Sequence, residues 1–210
     1  MSGSVVQVDH PLVQHKLGLL RDTGTDTQLF RQLVNELTLL LTYEATKDLA
    51  TETVEVETPL ERTTVRRISG KKVAVCPILR AGMGMLDGVL SLISGARVGF
   101  IGLYRDEETL QAIEYYVKLP ADIAKRDVIL LDPMLATGNS TVAAVARVKE
   151  AGAISIRLIA LIAAPEGLAN ITEHHPDVRI VVAGIDRGLN EKGYIVPGLG
   201  DAGDRLYGTK

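Results

Sequence analysis

VILLDPMLATGNST, residues 128–141, decides how this chain folds. An apolar run, residues 128–131, ends abruptly in an acid, Asp132, which suits a buried strand with a polar group at its exit. Pro133 has no backbone donor, so the strand ladder is expected to stop there. Thr137-Gly138-Asn139-Ser140-Thr141 is rich in hydroxyls, with one glycine that lets the backbone approach a ligand. A helical pattern follows through Val145 and Val148 towards Gly152. Strand, acid, small-residue turn and helix make one unit. Its helix end presents unpaired N–H groups and positive potential, which together suit a phosphate. In an ordinary βα turn, Thr137 or Ser140 would simply cap the helix. The residues alone leave both readings open. Asp132, at the strand exit, suits a ribose or a metal ion.

Moving outward, the same texture repeats. Apolar runs at residues 73–79, 98–103, 156–163 and 178–185 alternate with helical patterns near 85–93, after Ser140 and near 168–174. That alternation predicts an α/β fold: a twisted, mostly parallel sheet with helices on both faces. Ligands in such sheets lie beyond the carboxyl ends of the strands. Upstream, residues 12–20 have helical spacing, and Thr25-Asp26-Thr27 caps a long helix expected to run towards Leu49. TVEVET (53–58) alternates with period two and reads as a strand or hairpin arm. The expected organisation is one domain over residues 1–210: N-terminal helices and arm to about 70, core sheet 71–186, and a polar tail 187–210.

Composition narrows the classes. The chain has 210 residues, 46% of them apolar, and carries a net charge of −3. It is long enough for a sizeable core. Without a basic face, a nucleic-acid partner is not expected. There is no signal-peptide core and no membrane-length apolar run, so the expectation is a cytoplasmic protein with no membrane partner. Cys76, within VAVCPIL, reads as a buried strand thiol. The four histidines, His10, His15, His174 and His175, show no metal-ligand spacing with that lone cysteine. A nucleoside kinase is excluded by the lack of a G-x-x-x-x-G-K-[ST] loop.

Further segments add candidate groups. PILRAGMGM (77–85) sets Arg80 before Gly82 and Gly84, a turn able to wrap an anion, although a surface arginine beside a glycine-rich turn reads equally well. YRDEET (104–109) reads on its own as a charged hairpin that includes Asp106, Glu107 and Glu108. GYIVPGLGDAGDR (193–205) holds four glycines and a proline and on its own is a loop. Pro165-Glu166-Gly167 opens a helix, with Glu166 at its positive end.

Together these segments resemble the uracil phosphoribosyltransferases, a branch of the type I phosphoribosyltransferases, which use phosphoribosyl diphosphate (PRPP). The resemblance runs from HPLVQHKLG (10–18) to the terminal YGTK, and DPMLATG resembles the branch's PRPP loop. It implies transfer of the phosphoribosyl group to N1 of uracil, giving UMP and diphosphate in pyrimidine salvage. The fold it implies is the type I one, with N-terminal helices and C-terminal loop forming a hood over the site. PRPP would meet Arg80, Arg105, Asp132, Pro133, Met134, Leu135, Ala136, Thr137, Gly138, Asn139, Ser140 and Asp201. Ala136 to Ser140 would cradle the 5-phosphate, and Asp132 would hold the ribose hydroxyls. Uracil would be read by main-chain groups around Ile195, Gly200, Asp201 and Ala202. Asp132, Arg105 and Asp201 would carry catalysis, with the 110–119 arm closing over the site. No metal site of the protein's own is implied; Mg²⁺ would be held mainly through PRPP. Relatives are homodimers or homotetramers, and some are activated by GTP. The related alternative is a uracil-nucleotide-sensing regulator with the same fold and little catalysis. Two departures stand out. The wider superfamily commonly has paired acids where this chain has Asp132-Pro133, which matches the uracil branch. Many uracil enzymes carry glycine where this chain has Asn139, a residue that tolerates left-handed geometry.

Overall fold

A computed structural model of the chain describes residues 4–70, 73–105 and 112–209. Thirteen strands and six α-helices follow one another in it. The main sheet is built on β1 (Val5–Gln7), β4 (Val73–Leu79), β6 (Phe100–Arg105), β7 (Ala112–Lys118), β8 (Asp127–Leu131), β10 (Ser155–Ala163) and β11 (Arg179–Ile185), in the order β1-β11-β10-β8-β4-β6-β7. Every pairing along that path is parallel except β6 with β7. Short β5 (Arg97–Val98) pairs with β4, and β9 (Met134–Leu135) pairs with β10. A separate hairpin joins β2 (Thr51–Glu57) to β3 (Arg62–Ile68), and β12 (Gly188–Leu189) pairs with β13 (Ile195–Val196).

Successive strand residues point to opposite faces, and this chain uses both. Val73, Val75, Ile129 and Leu131 join one core with α1 (Pro11–Arg21), α2 (Thr27–Ala45), α3 (Leu86–Leu92) and α6 (Ala202–Tyr207). Ala74, Cys76, Val128 and Leu130 join the other, with α4 (Asn139–Glu150) and α5 (Pro165–His174). Burial on both faces explains why these strands read as continuous apolar runs. It also pushes the Cys76 thiol up to about 12, so the thiol stays protonated and inert.

Several expectations need correction. The long helix begins where its cap predicts, Asp26 accepting from the Leu29 amide at 2.8 Å, but it ends at Ala45 rather than near Leu49. Strand β8 stops before Asp132, yet pairing resumes one residue past Pro133 as β9, because the Pro133 carbonyl accepts the Leu161 and Ile162 amides. The C-terminal tail is not wholly loop: α6 forms once Asp201 caps the Asp204 amide at 2.9 Å. The Pro165-led helix starts at that proline, ahead of the 168–174 pattern. Residues 106–111, including Asp106, Glu107 and Glu108 and the start of the expected arm, lie outside the described residues, as does the side chain of Arg105.

Topology then locates the site. From β4 the chain moves to β6 on one side, and later returns to β8 on the other. The order therefore reverses around β4, and the crevice beyond its carboxyl end is where an open α/β sheet accepts a ligand. Arg80 follows β4, and Asp132 follows the adjacent β8.

Candidate functional site

Leu131 packs into the first core, so strand alternation turns Asp132 towards the opposite face, where α4 begins. There Asp132 Oδ2 accepts the Thr141 hydroxyl at 2.9 Å and Oδ1 accepts the Met134 amide at 3.2 Å. Burial pushes this carboxyl up to about 6, against the pull of those two donors. Asp132 is thus held in place, with its carboxyl raised well above the ordinary carboxylate range.

Two adjoining hollows meet at Asp132. The first, about 240 Å³, is lined by Arg80, Asp132, Met134, Ala136, Thr137, Gly138, Asn139, Ser140 and Thr141. The second, about 360 Å³, is lined by Asp132, Pro133, Met134 and Ala136, and across from them by Ile195, Gly200, Asp201 and Ala202. The expected PRPP and uracil segments therefore line two hollows that share one carboxylate, Asp132. Leu135 is the exception. Its side chain is fully buried in the second core, and its carbonyl accepts the Ala164 amide at 2.9 Å.

The turn at residues 137–141 is shaped by its own backbone and by α5. Gly138 is the residue before α4 and takes φ +80°, a left-handed conformation that costs a side chain. No side chain caps α4, so neither Thr137 nor Ser140 plays the ordinary capping part. Its first residues, Asn139, Ser140 and Thr141, line the smaller hollow, and a helix N-terminus at such a place suits an anion. Asn170, on α5, donates to the Thr137 carbonyl at 2.8 Å and to Asn139 Oδ1 at 2.9 Å. The Asn139 side chain is therefore part of the turn's bracing.

The glycines after Arg80 serve packing more than ligand approach. A Cβ on Gly82 would lie 2.4 Å from the Leu131 carbonyl oxygen, so the turn lies directly against the exit of β8. One on Gly84 would strike the Leu206 side chain. Exposed Arg80 itself lines the smaller hollow, and its carbonyl accepts the Tyr207 hydroxyl at 2.9 Å, tying this turn to α6.

The tail is fixed with equal care. Glu166 accepts the Leu189 amide at 3.1 Å, and Asn190 Oδ1 accepts the Lys192 and Tyr194 amides at 3.0 Å. Lys192, Gly193 and Tyr194 join the lining of the larger hollow. Sequence reasoning passed over Thr141, Asn170, Asn190 and Tyr194. Thr141 lay within the quoted motif, and its i+9 relation to Asp132 is visible only once strand and helix are folded together. Asp186 was missed although RIVVAGID repeats the strand-then-acid pattern of VILLD.

Comparison with known proteins gives a consistent result. The family model described as uracil phosphoribosyltransferase matches residues 6–209. A protein of Clostridium botulinum (strain Eklund 17B / Type B), named uracil phosphoribosyltransferase, is 61% identical over 206 residues, covering 98% of this chain and 99% of its own length. The solved structure of the AQ2163 protein from Aquifex aeolicus aligns with a TM-score of 0.94 at 40% identity, covering 99% of each chain. An adenine phosphoribosyl transferase from Trypanosoma brucei aligns at 11% identity, covering 94% of this chain and 87% of its own, with a TM-score of 0.58; it shares the fold.

Proposed function

The chain belongs to the uracil phosphoribosyltransferase family, and we propose that the two hollows meeting at Asp132 are where it performs the family's reaction. That reaction moves the phosphoribosyl group of PRPP to N1 of uracil, giving UMP and diphosphate. One observation supports this placement above the others: a single braced carboxylate lines both a hollow at an anion-suited helix end and a larger, glycine-rich hollow. A uracil-nucleotide-sensing regulator finds no support among the relatives, which are named as the enzyme.

In this reading the 5-phosphate sits on the amides of residues 136–140, and the ribose hydroxyls donate to Asp132. Arg80 and Arg105 offset the charge that builds on the departing diphosphate. Met134, Pro133 and Ala136 form the apolar floor. The base lies beneath the backbone of Ile195, Gly200, Asp201 and Ala202. Uracil presents acceptor, donor, acceptor along O2, N3–H and O4; cytosine replaces the last acceptor with a donor and lacks the N3 proton. A rigid main-chain reader leaves buried groups unpaired against cytosine and so rejects it. As N1 bonds to C1, the bond from C1 to the diphosphate oxygen breaks and N1 gives up its proton. Asp201 stands nearest to that role by position, although its Oδ1 is already engaged as the α6 cap. Holding the two substrates in register supplies much of the rate.

The donor set fits Mg²⁺ arriving on the substrate. Asp132 and Asp201 offer hard carboxylate oxygens, and among the described residues no three of His, Cys, Asp or Glu gather into a cage. Bound there, the ion would neutralise leaving-group charge. Assembly as a homodimer or homotetramer, activation by GTP and a cytoplasmic location belong to the same proposal on family grounds. No described helix is long and apolar enough to cross a membrane. The test is direct: purified chain with PRPP, Mg²⁺ and radiolabelled uracil should yield UMP. Asp132→Asn should lower turnover by about a hundredfold or more. Failure to form UMP at any substrate level rejects the function, and near-normal turnover in the variant rejects the ribose role.

A further inference from the structure

Asp186 occupies the position after β11 that Asp132 occupies after β8, but it faces the protein. Its side chain is 4% exposed and takes a two-pronged contact from Arg21, the last residue of α1, at 2.8 and 2.5 Å. The same two groups grip one residue of the tail. The Gly198 amide donates to Asp186 Oδ2 at 2.8 Å, and Arg21 Nη1 donates to the Gly198 carbonyl at 2.7 Å. Both polar backbone groups of Gly198 are therefore held by charge-assisted bonds, the stronger kind. Gly198 cannot be replaced easily: it takes φ +69°, and a Cβ there would lie 2.2 Å from the Ile195 carbonyl oxygen. Just downstream, Arg205 donates to the Leu199 carbonyl at 2.8 Å and to the Leu20 and Asp22 carbonyls at 2.7 and 2.6 Å, while stacking 4.3 Å from the Phe30 ring centre. The segment lining the larger hollow thus hangs from the end of α1 at two consecutive residues, Gly198 and Leu199.

A base read through main-chain groups is discriminated only as well as that main chain is held, since displacement by a fraction of an ångström breaks the hydrogen-bond geometry. We propose that Arg21 and Asp186 are a positioning pair for base recognition, fixing the 195–202 segment against a planar acceptor–donor–acceptor base such as uracil. The inference rests on the reading that this segment contacts the base. Neither residue lines either hollow, so the pair acts through Gly198 and not on the substrate. Its influence belongs to the base end of the site and not to the phosphate end, which is braced from α5 by Asn170.

The test uses the full chain, with uracil and PRPP varied separately, and with cytosine as a competing base. Asp186→Asn and Arg21→Gln should raise KM for uracil by about tenfold or more, leave KM for PRPP within about twofold, and reduce the preference for uracil over cytosine. Arg21→Lys, which keeps the charge but not the fork, should give an intermediate rise. It also keeps the test open if the harsher changes impair folding. The double variant should be no worse than Asp186→Asn alone, as expected of groups acting as one unit. If both KM values move together, or KM for uracil stays within twofold, the pair is merely structural and the proposal fails. Gly200→Ala separates the two levels. If it raises KM for uracil while the pair variants do not, the positioning role alone is wrong. If it too leaves uracil untouched, the base-reading segment is wrong and the proposal falls with it.

Discussion

Asp132 shows how one residue carries opposed demands. Ribose hydroxyls need an ionised acceptor, yet burial pushes this carboxyl up to about 6. A folded-state value above the ordinary one means the folded protein holds its proton more tightly than the unfolded chain does. The associated stability is complete below about pH 4 and is lost as pH rises through about 6. Ionised Asp132 then costs up to about 3 kcal/mol in the empty site at pH 8. Asp132→Asn, although expected to turn over slowly, should therefore unfold at higher denaturant than the parent at pH 8, and the difference should shrink between pH 6 and pH 4, as urea titrations at three pH values will reveal. Substrate binding runs the other way. PRPP affinity in the parent should weaken as pH falls below about 6, since the proton competes with the diol for the same oxygens. Isothermal titration checks the second half, with the Asn variant as the control that retains only the pH dependence of the PRPP phosphates themselves. A variant no more stable than the parent at pH 8 would mean that Asp132 is better solvated than its surroundings imply.

At the scale of elements, the contact between α5 and the phosphate turn is the clearest case. A Cβ on Gly167 would lie 2.4 Å from the Ala136 carbonyl oxygen and 2.8 Å from that of Leu135, so the first turn of α5 presses on the backbone proposed to cradle the 5-phosphate. Gly167→Ala should push that turn away at a cost of about 1–3 kcal/mol. KM for PRPP should rise by about tenfold, with KM for uracil little changed, when each substrate is titrated against saturating levels of the other. Asn170→Ala, which removes two bonds to the same turn, should act in the same direction more gently, through about 1 kcal/mol per bond lost. These contacts also mark where the sequence stopped being legible. Strands β4, β8, β10 and β11 were readable almost to the residue because burial on both faces leaves uninterrupted apolar runs. The cap at Asp26 was readable because its partner is three residues away. Three-residue β1 was invisible: it exists only because the edge of β11 is there to pair with it. Helix α6 was hidden among glycines that signal a loop. The same limit applies to the site. Arg80, Asp132 and the 137–141 turn follow strands and carry local signatures, whereas Thr141 with Asp132 and Arg21 with Asp186 meet only across the fold.

For the molecule as a whole, the sheet separates its two ends by task. Substrate-facing groups gather at the carboxyl ends of β4 and β8, while a different charged cluster closes the amino ends of β8, β10 and β11. There Arg157, nearly buried, reaches Asp127 at 2.8 Å and Asp48 at 3.2 Å, and Arg179 reaches Asp48 at 3.0 Å and Glu44 at 3.5 Å. These bonds tie the end of α2 and the residues after it to the base of the sheet. Burial raises the Asp48 carboxyl, but the Arg157 and Arg179 charges outweigh it and hold the group below its ordinary value. A depressed carboxyl contributes stability that is present above its unfolded value near 4 and is lost as pH falls through the folded one, so this cluster loosens only in acid. Removing Arg157 leaves carboxylates that are 33% and 43% exposed, and water can therefore solvate them. The cost should stay below the 3–5 kcal/mol typical of a fully buried broken pair, at about 2 kcal/mol including the lost packing of the arginine stem. For a chain of this size that corresponds to a fall in melting temperature of roughly 4–8 °C. Because the cluster sits at the opposite end of the strands from Asp132, Arg157→Ala should keep both KM values and kcat within about twofold of the parent. Thermal unfolding and steady-state kinetics on one preparation decide it. A stability loss accompanied by an unchanged site supports separate ends, whereas a matching collapse in kcat would mean that the amino-terminal network also sets the geometry at Asp132.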